Sequence, residues 1–344
     1  MKNKCGIFLT ILFSCLVGCG DEPSSPSSSE KPGESDGSTL SLIADSAFFE
    51  GKFKSSHIRI AFTDELTDEL NYIEIEGDSL RSEIVETIGL PQHPQFSPDG
   101  SKLAYSTGLE GVHKPSDLYV IDLLSREIYK LDVENAAIPR WRVLENGDTV
   151  IVYNDYVGSD AVPDWDESAT YQVVFAGNKF GTPEKLFNRS YNGGVSPDNS
   201  LAVTGASRLL FHYAQDEDSV NIDMYNGEQV CNVSISRDSS KIVAFLETRG
   251  SMGVEFTHDQ YNWHGYVFYM DSTGKLLKAI KGKDNNVFNG TEWLFVPGFQ
   301  VGTLTTSSDR SEIIVLIDYE RGDYSPILKA SGKQVMNPDL WVDL

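Results

Sequence analysis

The most regular stretch of the chain, residues 94–131, reads PQFSPDGSKLAYSTGLEGVHKPSDLYVIDLLSREIYKL. Its apolar and polar positions predict four short strands, at 94–97, 102–107, 117–122 and 127–131, parted by turn-forming residues. Ser97-Pro98-Asp99-Gly100 supplies the first turn with a mechanism. Pro presets φ, Asp bonds nearby amides, and Gly accepts positive φ. The cadence recurs with decay. Strands are expected at 138–142, 149–153, 171–175 and 184–187; at 193–196, 200–204, 220–225 and, weakly, 228–230; at 231–236, 241–247, 266–271 and 275–280; and at 291–295, 299–305, 312–318 and 326–329. The first-strand positions Phe96, Trp141, Val195, Ile235 and Trp293 are 40 to 58 residues apart, the spacing of propeller blades with variable loops.

The two ends complete the count. Strands at 57–62, 71–75 and 84–88 lack a first strand before them. Asn337-Pro338-Asp339-Leu340-Trp341-Val342 reads as a first strand with nothing after it. Joined, they make one four-stranded blade and leave no open sheet edge. The expectation is an all-β, six-bladed propeller with 1+3 closure. Continuous apolar runs such as Leu118-Tyr119-Val120-Ile121 and Ile313-Ile314-Val315-Leu316-Ile317 suit middle strands covered on both faces. A parallel α/β sheet gives the same runs but needs intervening helices, and no segment is long enough to supply them.

Through Phe96-Ser97-Pro98-Asp99-Gly100-Ser101-Lys102-Leu103-Ala104-Tyr105 the chain resembles the TolB-like, WD-type propeller repeat. Residues 195–199 and 235–239 match it in part. Glu292-Trp293, Val301-Gly302-Thr303-Leu304-Thr305 and the Asn337–Val342 segment resemble a paralogous lipoprotein family of fibre-digesting anaerobic bacteria. Members of that group can carry a second domain resembling formylglycine-generating enzymes, for which this sequence has no room.

Residues 1–19 read MKNKCGIFLTILFSCLVGC: a basic start at Lys2 and Lys4, then an apolar stretch short for a bilayer span. Leu16-Val17-Gly18-Cys19 resembles a bacterial lipobox, which implies cleavage before Cys19 and a lipid on its thiol. The following DEPSSPSSSEKPGESDGSTLS cannot bury an apolar face and reads as a tether. The expected domains are a signal peptide at 1–18, a lipidated Cys and flexible linker at 19–48, and the propeller at 49–344. Asp21 stands two residues after Cys19, not directly after it. By resemblance to the enterobacterial sorting rule, the outer membrane is the favoured address and the N-terminal lipid the sole membrane contact.

Charge then narrows the partners. The chain has 28 Lys+Arg against 51 Asp+Glu, a formal net charge of −23, which repels a phosphate polyanion and excludes nucleic acid. Cleavage before Cys19 also leaves only Cys19 and Cys231, so no disulfide forms within the mature chain. Cys231, in an alternating strand, reads as a small buried hydrophobe. Nothing matches a nucleophile elbow, a zinc-peptidase helix or a phosphate loop, and the Ser-Pro-Asp-Gly turn lacks the Thr-Trp of a sialidase Asp box. No catalytic residue is assigned.

Two loops gather acids and aromatics. Residues 155–167 include Asp164, Trp165 and Asp166; residues 255–264 include His258, Asp259, Tyr261, Trp263 and His264. These eight are the ligand-binding candidates. No metal is assigned, although His258, Asp259 and His264 are chemically able to take a divalent cation. Both loops join second strands to third strands, which puts them at one end of the propeller, opposite the short turns at Ser97, Ser196 and Ser236. The expected function is a lipid-anchored envelope module that binds a glycan or an envelope protein without catalysis. The alternative is a metal-assisted polysaccharide lyase or hydrolase on the same scaffold.

Overall fold

The computed structural model describes residues 39–108, 115–144, 146–156, 164–205, 208–214, 222–248 and 250–344. The signal peptide, Cys19, the linker up to residue 38, residues 157–163 of the first acidic loop and the run Asp216-Glu217-Asp218 lie outside the described residues. Among those described, the strands form six antiparallel sheets, each a blade of a β-propeller. The second blade, Gln92–Phe96, Lys102–Ser106, Leu118–Asp122 and Ile128–Lys130, follows the most regular sequence unit almost residue for residue. In the first blade the C-terminal strand Val335–Val342 pairs with His57–Asp64, with Ile60 opposite Leu340, ahead of Glu69–Glu76 and Ser79–Val85.

Cores form between blades, which is why the middle strands are apolar on both faces. Ala104, Leu118 and Val120 of the second blade pack with Trp141, Ile151 and Tyr153 of the third. Two inner-strand tryptophans repeat one contact. Trp141 Nε1 donates to Gln95 O at 3.0 Å, and Trp293 Nε1 donates to Ser234 O at 3.2 Å. Each accepting residue precedes the equivalent first-strand position, Phe96 or Ile235, of the neighbouring blade.

The turns behave as their residues dictate. Asp99 Oδ1 accepts from Ser97 Oγ and Ser101 N, and Ser97 Oγ accepts from Lys102 N. Ser196, Asp198 and Ser200 repeat the pattern. Gly100 has φ 67°, and a Cβ there would lie 2.3 Å from the Trp341 ring, so both backbone and space require glycine.

Two expectations need correction. The ordered body begins before residue 49. Thr39–Leu42 pairs antiparallel with Asp323–Ser331 and adds a fifth strand to the sixth blade. Helix Ser46–Phe53 follows, capped by Asp45 Oδ1 on Phe48 N at 2.9 Å, with Phe49 and Phe53 buried in the core. The Ser/Gly/Asp-rich composition hid Leu40 and Leu42, which pack on that core. In the fourth blade the third strand is Leu209–Tyr213 and the fourth Ile222–Asp223, not 220–225 and 228–230. Leu209 follows Gly205 so closely that the connection falls short of the long loops expected at that end.

Candidate binding cleft on the loop face

On the propeller axis, a cavity of about 40 Å³ is lined from all six inner strands or their approaches, including His93, Arg140, Asn192, Asn232, Glu292 and Asn337. His93, Ile138, Asn232 and Asn337 all have φ between 49° and 53°, and the strand register shifts beside each. These are β-bulges, and three of the four precede a proline, tolerated on strands whose outer edge faces the channel. The X-Pro pairs at 93–94, 138–139 and 337–338 were a legible signal of this device that strand-counting passes over.

Ion pairs fill the axis. Arg140 pairs with Glu292, while Arg237 lies 3.0 Å from Asp339 and 3.7 Å from Glu292. Asp339 Oδ2 accepts from Phe96 N at 2.7 Å, Arg140 Nε donates to Asn192 O, and the Arg237 guanidinium lies 4.5 Å over Phe295. Every blade contributes a group. Burial pushes the Asp339 carboxyl up to about 6 against the pull of Arg237, and burial with the Arg140 charge pushes His93 down to about 3. A space this size holds a water or two.

The larger space lies on the loop face. A cleft of about 600 Å³ is walled by the fifth, sixth and first blades, with Trp263, His264, Asn289, Thr305 and Glu312 around it and Leu66 at its rim. All of these stand where second strands turn into third strands or where one blade passes to the next. Of the five tryptophans Trp263 is the exposed one, at 44%. Glu312, 6% exposed, accepts from Thr305 Oγ1 at 2.8 Å and Asn289 Nδ2 at 3.3 Å, while Asn289 also donates to Thr305 Oγ1. Burial pushes its carboxyl up to about 7 against those two donors. Neither Glu312 nor Asn289 stood among the sequence candidates, because a polar residue at a strand end reads as a solvent-facing position.

The eight candidates part company. Trp263 and His264 line the cleft. His264 is 2% exposed, and its ring is fixed by Phe288 O at 3.1 Å on Nδ1 and Cys231 Sγ at 2.8 Å on Nε2. Cys231 is therefore half-buried beside an imidazole rather than a plain core hydrophobe. Tyr261 is buried, its ring 4.8 Å from Tyr266. Asp259 accepts from Tyr266 Oη at 2.8 Å and pairs with Lys281. His258 is exposed and ends helix Ser251–Thr257 with φ 55°, its N–H bonded to Val254 O. The described end of the first loop, Asp164–Glu167, packs its tryptophan against the body instead of offering it to solvent. Trp165 is 4% exposed, donates to Ser190 O at 2.9 Å and lies under the Arg189 guanidinium, which also pairs with Asp166 at 2.8 Å. Asp164 opens helix Asp164–Glu167, and its side chain is outside the described residues. Neither the axial cavity nor the loop-face cleft is lined by residues of both loops, and among the described residues no three His, Cys, Asp or Glu are grouped to hold a metal ion.

A second buried carboxyl, Glu247, sits under helix Ser251–Thr257. Burial raises it to about 7 beside Tyr225, and a Cβ at Gly253 would fall 1.8 Å from its Oε1 and 2.1 Å from Tyr261 Oη. Neither the axial cavity nor the loop-face cleft reaches it.

No protein-family model matches this sequence, and no curated protein matches it. Solved structures do. The chain is similar to TolB from Acinetobacter baumannii, with TM-score 0.53 and 12% identity over 86% of this chain and 70% of that one. It is also similar to Kuenenia stuttgartiensis hydrazine synthase, with TM-score 0.54 and 10% identity over 86% of this chain and 48% of that one. At these identities the likeness establishes the fold, a TolB-like six-bladed propeller.

Proposed function

We propose that this chain is a lipid-anchored binding protein of the cell envelope, non-catalytic, presenting its loop-face cleft to a glycan. One observation carries the reading. An exposed indole, Trp263, shares a cleft of about 600 Å³ with a polar cluster of Asn289, Thr305 and Glu312. The volume is that of a small-molecule site, and the lining is mostly polar, with Leu66, Trp263 and Val287 as its apolar members. A sugar ring offers both matching surfaces: C–H faces that stack on an indole and hydroxyls that bond an amide and a carboxyl. A propeller suits the task because loops on a rigid scaffold carry recognition.

The envelope address rests on the Leu16-Val17-Gly18-Cys19 motif and the tether behind it, with the outer membrane favoured. Two experiments test the proposal. Full-length protein in detergent, applied to an array of cell-wall glycans, is expected to be captured, and Trp263→Ala to lose capture while melting within a few degrees of wild type. Undiminished capture by the folded variant contradicts the cleft. Labelled palmitate is expected to enter wild type and not Cys19→Ser; an unlabelled wild type contradicts the anchor.

A further inference from the structure

The chain as a whole is strongly acidic, at −23, yet this cleft is not. Its wall carries Arg310, Lys329 and Lys333 against the carboxyl groups of Asp309 and Glu312. Lys333 is committed, 3.0 Å from the buried Asp64. Lys329 reaches Asp309 at 3.5 Å with both side chains well exposed, a water-screened pair that yields to a better partner. Arg310 is exposed at a turn with φ 56° and joins no ion pair among the described residues. Glu312, buried and held by neutral donors, brings less than a full negative charge to the floor at neutral pH. A neutral sugar draws only hydrogen bonds from these cations, whereas an anionic one also gains their charge where the rest of the surface repels it.

We infer, resting on the glycan reading above, that the ligand is an acidic saccharide whose uronate carboxylate is taken by Arg310 and Lys329 while a ring stacks on Trp263. A guanidinium holds a carboxylate with paired hydrogen bonds, and two cations flanking one carboxylate select acid over ester. The aromatic surface gives affinity for the ring, and the basic rim gives the choice among rings.

Titration calorimetry of the full-length protein in detergent, with trigalacturonate, its methyl ester and inorganic phosphate as probes, separates the possibilities. The acid is expected to bind at least about tenfold more tightly than the ester, and raised salt to narrow that ratio. Arg310→Ala and Lys329→Ala should each shrink the ratio while leaving ester binding and the melting temperature in place; Trp263→Ala should weaken both sugars. Equal binding of acid and ester, both lost in Trp263→Ala, overturns the acidic inference and leaves the glycan reading standing. Binding of neither sugar, or indifference of both to Trp263→Ala, overturns the glycan reading and this inference together. Displacement of the acid by an equal concentration of phosphate shows an anion site with no saccharide specificity, and also overturns it.

Discussion

Asp339 on the axis and Glu312 in the loop-face cleft are both buried strand carboxyls raised above their ordinary range, yet their surroundings differ in kind. Asp339 faces Arg237 at 3.0 Å within a set of ion pairs and hydrogen bonds to which every blade contributes a group, and which leaves about 40 Å³ of space. Glu312 is held by an amide and a hydroxyl, and its cleft is about 600 Å³. Charge answered by charge in a filled space fastens the propeller. A carboxyl answered by neutral donors beside open space keeps capacity for a ligand. Depth of burial alone does not separate them; what satisfies the group, and how much room adjoins it, does.

Breaking the axis should have a large effect. Asp339→Ala leaves Arg237 buried without its closest carboxylate and Phe96 N–H without an acceptor. Removing one partner of a buried pair costs about 3–5 kcal/mol, expected as a fall in melting temperature of roughly 10 °C by calorimetry. Glu312→Gln keeps the shape and the neutral contacts, so its melting temperature at pH 7 should stay within a few degrees of wild type. If the two variants lose comparable stability, the contrast between the regions is wrong.

The pH dependence sharpens the same contrast. Glu247 and Glu312 are raised to about 7 and Asp339 to about 6, so between the ordinary carboxylate range and pH 7 the folded protein holds protons that the unfolded chain has released. Their contribution is therefore full at low pH and is lost as pH rises through that window. His93, kept neutral down to about 3, acts oppositely below its unfolded value and offsets part of the gain. Carboxyls held low, such as Glu74, Asp99 and Asp259, matter only on stronger acidification. The expected outcome is a higher melting temperature at pH 5 than at pH 8, with Glu312→Gln flattening the slope. A melting temperature that climbs steadily from pH 5 to pH 8 contradicts it.

Trp263→Ala should show the smallest change in stability, because nearly half of that side chain already faces water. Trp165→Ala, by contrast, removes a buried indole that bonds Ser190 O and carries Arg189, for about 3–5 kcal/mol. The pair tests which of the two tryptophans is free to meet a ligand and which holds the fold.

These outcomes also mark what the sequence could express. The blades were legible because strand, turn and first-strand spacing are local properties: Ser97-Pro98-Asp99-Gly100 specifies its turn wherever it sits. The strand Leu209–Tyr213 was missed because a connection this short at the long-loop end breaks the cadence. The site was half legible. Trp263 and His264 stood out by density of residue types, but so did Trp165, and its burial depends on Arg189 and Ser190 from a different segment. Glu312 and Asn289 gave no sign at all, since their meeting across the sixth blade is fixed by tertiary register and not by spacing.

The claim that the cleft binds and the axis fastens is tested most directly by hydrogen exchange on the full-length protein with and without trigalacturonate. Ligand should slow exchange in the backbone around residues 263–264, 305–312 and 329–334, and leave the inner strands Gln92–Phe96 and Ala137–Val143 unchanged. Protection concentrated in those inner strands, or around Asp164–Glu167, would contradict the account.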